Sequence, residues 1–443
     1  MPSHDKVKPE LGPDLMTTSD EPLERSALAK VSWRLLPLLG LAYAIAYMDR
    51  INISFAATQM NRDLGFSAAV YGLGAGVFFI SYALFEVPSN LLLVRFGARR
   101  WIARIMLTWG VLAVAMMFVR TPVQFYIVRF LLGLAEAGFF PGVIYYVSLW
   151  FPAAHRGRAI SRFYVAIPLS NVVMGLIAGP LLGLQGKLGL AGWQWLFLVE
   201  GLPAVLMSLV ILLFLPESPA AAPWLSGDEK SWIQRRLATD AAKLGAEDHN
   251  FLRALTHPLV LVMGAINFLM LGCTYAFTFS APELLRDATR LPITQVGYLI
   301  SGVGLLGAVS MLWTAWHSDR TGERYFHVAI PITIMGLAYG AIGLGLPPLL
   351  LMIAYGVAAL AQWAYSPTFW LISGDRMQPR SIAVGSAAIN TIGQVGSFVA
   401  PYLWGIARDR TGDFQLGLTV LPIPMLVAAG LVMVLRRGRP RLV

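Results

Sequence analysis

The sequence predicts an all-α integral membrane protein, with twelve transmembrane helices in two six-helix halves related by pseudo-symmetry. Three observations carry that prediction. Hydrophobic residues make up 57% of the 443 and charged residues 13%, against about 25% charged in soluble domains, so a soluble fold of this length could not cover its own surface. Apolar runs of the roughly 20 residues needed to cross a bilayer recur along the chain. One long hydrophilic break, 216–257, divides those runs into six and six.

Taken in order, the runs are 33–57, 68–92, 101–120, 123–150, 158–184 and 193–215, then 258–281, 293–316, 326–346, 348–373, 381–407 and 414–436. Several contain Gly and Pro, which membrane helices tolerate because neighbouring helices satisfy the freed backbone groups. The expected organisation is a cytoplasmic tail 1–32, a first bundle 33–215, a linker 216–257, a second bundle 258–436 and a tail 437–443. The first tail is polar, acidic in patches and without the apolar stretch of a cleavable signal, and is expected to turn helical near Arg25. The linker opens Pro216-Glu217-Ser218-Pro219 and continues charged, in a helical pattern.

Alternate short loops differ in basic charge. One set carries Arg95, Arg99, Arg100 and Arg104, then Arg156, Arg158 and Arg162, then Arg320 and Arg324, then Arg376 and Arg380. The other set carries fewer. The positive-inside rule therefore places both termini and the linker in the cytoplasm, and a cell membrane, the inner one in a bacterium, is the expected location. It also accounts for the net charge of +10, so no nucleic-acid partner is expected. Cys273 is the single cysteine and the six histidines show no ligand spacing, so neither a disulfide nor a metal site is expected. No nucleophile, metal or phosphate-loop motif is present, and the chain is expected not to be an enzyme.

The halves repeat. Arg95-Phe96-Gly97-Ala98-Arg99 follows the second run and Arg320-Thr321-Gly322-Glu323-Arg324 follows the eighth, at one common offset. That offset also superposes the start of the first run on the start of the seventh. Parallel repetition of six-helix units is the architecture of major facilitator transporters, which hold substrate at mid-membrane between the halves.

The motifs carry a resemblance. Leu93-Val94-Arg95-Phe96-Gly97-Ala98-Arg99-Arg100 resembles the gating motif of the major facilitator superfamily, with Arg95, Gly97 and Arg99 in place but Val94 where an Asp is usual. The second copy keeps the acid as Asp319, followed by Arg320 and Gly322. More narrowly, YMDRINIS (47–54), FEVPSNLLL (85–93), RFLLGLAEAGFFPGVIYY (129–146), GWQWLFLVEGLPA (192–204) and RDRTGDF (408–414) resemble the anion:cation symporter family. The resemblance implies the major facilitator fold and proton-coupled uptake of a small organic acid anion such as tartrate, a sugar acid like galactonate, or an aromatic carboxylate. It implies Tyr47, Tyr82, Ser366, Thr368 and Asn390 as cavity-lining residues, with no cofactor beyond the proton.

Four charges cluster deep inside the first and fourth apolar runs: Asp49, Arg50, Arg129 and Glu136. Each costs roughly 2.5–3.5 kcal/mol near the bilayer centre, so such residues face the bundle interior and mark function. Counting at 1.5 Å per residue puts Asp49 and Arg129 at a common depth, roughly 10 Å below the outer surface. Glu136 is two turns beyond Arg129 on nearly the same face. An anion needs a fixed positive charge, and Arg never deprotonates; coupling to protons needs a carboxylate whose affinity for protons can shift. Arg50 is therefore expected to hold the substrate carboxylate, Asp49 and Glu136 to carry protons, and Arg129 to modulate them from the same site. An Arg129–Glu136 ion pair that only fixes packing is the bland alternative.

The repeat offset lays these four positions on Thr274, Tyr275, Ala354 and Ala361 in the second half. Charge handling is thus confined to the first half, and Tyr275, Ser366, Thr368, Trp370, Asn390 and Gln394 are the expected partners for the rest of the substrate. Glu86 is expected to serve a gate or a helix end, and Glu200 a structural ion pair. A monomer in the lipid bilayer is expected. The rival reading is an exporter or antiporter of an organic anion or drug, because Gly175, Gly179, Pro180 and Gly183 partly resemble an antiporter motif.

Overall fold

The computed structural model describes residues 20–244, 256–377 and 382–437. Most of the tail 1–32, the end of the linker, Arg380 and the tail from 438 onward lie outside the described residues. All the expected runs are helical. The first span is one 45-residue helix, Asp20–Leu64, so the expected cytoplasmic tail is helical from Asp20 and continuous with the membrane helix. The others follow as Ala68–Phe96, Ala98–Ala115, Pro122–Glu136 with Phe139–Ser148, Ala153–Tyr164 with Ala166–Leu182, and Gly192–Phe214. After the linker helix Gly227–Leu244 come Pro258–Thr289, Ile293–Thr321, Phe326–Gly343, Pro348–Arg376, Ile382–Thr411, and Gln415–Val420 with Pro422–Arg437.

Eleven of these spans are long and apolar enough to cross a membrane by length and composition. The eleventh in chain order, Ile382–Thr411, is 30 residues long but is not among them. Asn390, Thr391, Gln394 and Ser397 lie along it.

The fourth span breaks at Ala137, where Gly138 takes the left-handed conformation at φ 85°. An added Cβ there would collide with the Ser89 side chain of the second span. One turn earlier, a Cβ on Gly133 would strike Phe78 O and Ser81 Oγ. Small residues let the fourth span lie directly against the second, which places Arg129 and Glu136 beside Phe78 and Tyr82.

The halves pack chiefly through the second span with the eleventh and the fifth with the eighth, and more lightly through the first with the seventh. Most cross-half hydrogen bonds lie at the end remote from the linker. Asp409 accepts from Ala68 N at 2.8 Å and Ala69 N at 2.9 Å, a carboxylate on the positive end of the second helix. Tyr71 donates to Phe279 O at 3.1 Å and Ser301 to Val172 O at 2.7 Å. Beside them Arg408 pairs with Glu283 at 2.6 and 2.8 Å. Nearer the linker end, the cross-half hydrogen bonding among the described residues comes down to Asn390 on Glu86.

At the linker end the linker packs onto the first half. Glu229 accepts from Lys30 at 2.8 and 3.0 Å, from Ser26 at 2.6 Å and from Ser226 N at 2.8 Å. Partial burial opposes ionisation, but these donors prevail and hold its carboxyl down at about 2. Trp150 stacks on Trp224. The two gating-motif copies differ as the sequence does. Lacking an acid at 94, the first copy turns at Gly97 and sets Arg99 3.7 Å from Glu217 of the linker. The second pairs Asp319 with Arg324 at 2.6 Å, caps its helix with left-handed Gly322, and leaves Arg320 over Trp316. Arg95 lies over its neighbour Phe96.

Candidate substrate site

Adjacent residues on a helix point about 100° apart, and the first span uses this to send Asp49 and Arg50 to different partners. Arg50 turns to the fourth span. Its Nε and Nη2 both donate to Glu136 Oε1, at 2.7 and 2.6 Å. Glu136 Oε2 is buried with no hydrogen-bond partner among the described residues. The Arg50 guanidinium lies 4.8 Å from the Tyr82 ring centre and 5.7 Å from that of Phe78. Its side chain keeps 11% exposure, against 1% for Glu136, so the arginine is the open member of the pair.

Asp49 turns the other way, to the third span. Its two oxygens accept from Asn52 Nδ2 at 3.1 Å and Trp109 Nε1 at 2.9 Å. Arg129, expected beside the substrate, is 1% exposed and directs its guanidinium onto backbone carbonyls of the second span, Gly74 O at 3.3 Å and Ala75 O at 3.2 Å. The bland Arg129–Glu136 pair is not formed; Glu136 belongs to Arg50. Arg129 lies 4.8 Å from the Phe78 ring, so one aromatic ring serves both guanidiniums. Its quadrupole attracts each cation while the ring keeps them apart. Sequence reading missed Phe78, although its spacing of four from Tyr82 puts both on one helix face.

The second half closes over this cluster through aromatic contact. Tyr275 packs on Phe79 of the second span with ring centres 4.4 Å apart, and its charge-bearing neighbour is Arg50. Asn390 donates to Glu86 at 3.3 and 3.2 Å and accepts from Gln394 at 3.5 Å. The other expected partners stand apart. Thr368 is fully buried with Oγ1 unpartnered among the described residues, and Ser366 and Trp370 are half-buried on the tenth span with no hydrogen bond to the cluster. A cavity of about 50 Å³ lies between the halves, walled by Tyr47, Asn171, Thr278, Tyr355, Gln362 and Trp363. Of these only Tyr47 was legible from the motifs.

Glu200 corrects an expectation. It is 4% exposed, and both its oxygens lack a hydrogen-bond partner among the described residues, so it is not the structural ion pair the sequence suggested. The side chains that face it are Asn52 and Asp49 of the first span, and neither is a cation.

A buried guanidinium and a buried carboxylate on facing helices, between two repeated halves, suit the carriage of a charged solute. The Major Facilitator Superfamily profile matches residues 39–401. The chain belongs to the major facilitator superfamily. A protein of Agrobacterium vitis named "Putative tartrate transporter" is 40% identical over 97% of this chain and 95% of its own length. A protein of Acinetobacter baumannii named "Quinolone resistance transporter" is 38% identical over 91% of this chain and 93% of its own. Among solved structures, a bacterial homologue of the human lysosomal transporter Spinster, inward-facing and unoccupied, superposes with a TM-score of 0.76 at 17% identity, covering 94% of this chain and 98% of that one. At that identity the likeness is one of fold. This major facilitator chain is a multi-pass membrane transporter and not an enzyme.

Proposed function

We propose that this major facilitator protein is a proton-coupled symporter of the bacterial inner membrane, importing a small organic acid anion such as tartrate, a sugar acid or an aromatic carboxylate by alternating access. The linker and termini lie on the cytoplasmic side in this reading. The observation that carries it is the Arg50–Glu136 pair: a permanent cation, partly accessible, whose counter-ion is itself able to take a proton. While Glu136 is ionised it occupies Arg50 and competes with a substrate carboxylate. A proton arriving at the unpartnered Oε2 removes that competition, and leaves the guanidinium of Arg50 needing an anion. Substrate and proton then enter together because each makes room for the other. Asp49, hydrogen-bonded by Asn52 and Trp109, is the second proton-bearing group, and Arg129 supplies a fixed positive field from behind Phe78.

The relative named for tartrate supports the substrate class. The relative named for quinolone resistance favours the rival, an exporter exchanging substrate for protons with the same groups. Direction separates the two. In proteoliposomes loaded with buffer at higher pH than outside, the symporter concentrates labelled acid, whereas an exporter facing either way does so only when the gradient is reversed. Glu136→Gln is expected to bind and exchange the acid, because Arg50 is then always free, yet to lose accumulation above equilibrium. Gradient-driven accumulation by that variant at the wild-type level would refute the coupling role.

A further inference from the structure

We propose that Glu86 sets the charge a substrate can carry, standing in for a second substrate carboxylate at the far end of the site. The inference rests on the symport reading above and names the chemistry of the same site. Glu86 is one helical turn from Tyr82 on the same face of the second span, and the Tyr82 ring carries the Arg50 guanidinium. Glu86 is 6% exposed. Both its oxygens accept from Asn390 of the other half, and Gln394 in turn holds Asn390. An acid anchored on Arg50 and reaching toward the eleventh span passes Tyr82 and arrives at Asn390, whose amide Glu86 already fills.

The groups around Glu86 make its charge count. The eleventh span faces it with the neutral Asn390 and Gln394, its own span with Tyr82, and the first span with Arg50, the charged side chain whose field reaches it. The fourth span brings Phe130, packed on Phe85, with Glu136 on the far side of Tyr82. A low-dielectric site tolerates little net charge. With Asp49 and Glu136 protonated, Arg50 and Arg129 leave two positive charges. An ionised Glu86 together with a monocarboxylate balances them. A dicarboxylate balances them only when Glu86 is neutral, so its entry needs one proton more, and its second carboxylate takes the Asn390 amide that Glu86 gives up.

The test uses the full-length protein in proteoliposomes with galactonate as the monocarboxylate and tartrate as the dicarboxylate. Glu86→Gln is expected to raise the tartrate-to-galactonate uptake ratio by about tenfold, and to lower the protons carried per tartrate by one. Glu86→Asp is expected to keep the wild-type ratio. The wild type provides a check that needs no variant: tartrate uptake should carry one proton more than galactonate uptake. An unchanged ratio in a transporting Glu86→Gln protein, or equal proton counts for the two acids in the wild type, overturns the role of Glu86 and leaves the symport reading standing. A wild-type protein that moves no acid with protons, whether tartrate, galactonate or an aromatic carboxylate, overturns both.

Discussion

Phe78 is the residue on which the two arginines converge. Its ring lies 5.7 Å from the Arg50 guanidinium and 4.8 Å from that of Arg129, and it is fully buried. A desolvated cation–π contact contributes about 2 kcal/mol, so losing the ring while keeping an apolar volume exposes each arginine to the other's repulsion. Phe78→Leu is therefore expected to weaken acid binding by about tenfold or more, read as a loss of ligand-induced thermal stabilisation. Phe78→Tyr, which keeps the ring, should bind far better than Phe78→Leu, and equal binding by the two would show that packing alone matters. The four charges themselves were legible from sequence because charge inside an apolar run is costly and therefore informative. Their pairing was not. Asp49 and Arg50 are neighbours in the chain, and only the rotation of the first span decides that Arg50 meets Glu136 while Asp49 meets Trp109.

At the scale of elements, the fourth span owes its position to two glycines. Gly133 allows the second span's backbone to approach, and Gly138 allows the turn that ends the first helical segment. Gly133→Ala would drive a methyl into Phe78 O and Ser81 Oγ, and overpacking of this kind costs about 1–3 kcal/mol. The expected result is a lower melting temperature together with weakened acid binding, since the displaced backbone carries Phe78. An unchanged melting temperature would show that the two helices separate freely. The spans were legible as apolar runs, the eleventh included, although it carries Asn390 and Gln394. What escaped sequence reading was the set at the small cavity, Asn171, Thr278, Gln362 and Trp363. A single polar residue on a membrane helix carries no sign of which neighbour it will face. The linker is a further element with its own test. A carboxyl held at about 2 when docked and near 4.3 when undocked stabilises docking fully above the undocked value. That contribution fades as the pH falls through this window toward 2. Protection factors of the amides in 227–244, taken against intrinsic exchange at each pH, should therefore fall as acid is added, and Glu229→Gln should show low protection already at neutral pH.

For the whole molecule, the cross-half hydrogen bonds are unevenly placed. Asp409, Tyr71 and Ser301 join the halves at the end remote from the linker, while Asn390 and Glu86 join them nearer to it. The repeat in the sequence revealed that there are two halves, but the repeat is nearly symmetric and cannot reveal which end is shut. That depends on single residues such as Asp409, which belongs to the RDRTGDF stretch and has a role only once the second helix ends beneath it. An alternating-access protein must break one set of contacts to make the other, so the population of each state follows from their difference in free energy. A carboxylate on a helix N-terminus contributes about 0.5–2 kcal/mol. Removing it with Asp409→Ala should shift the balance severalfold toward a state open at that end. Spin labels on Arg62→Cys and Arg410→Cys, at the remote ends of the first and eleventh spans, report the opening directly. The buried Cys273 adds little background. The long-distance population is expected to grow in Asp409→Ala and to shrink when the acid is bound; a distribution unmoved by Asp409→Ala would mean that the aromatic and small-residue seams hold that end shut without it.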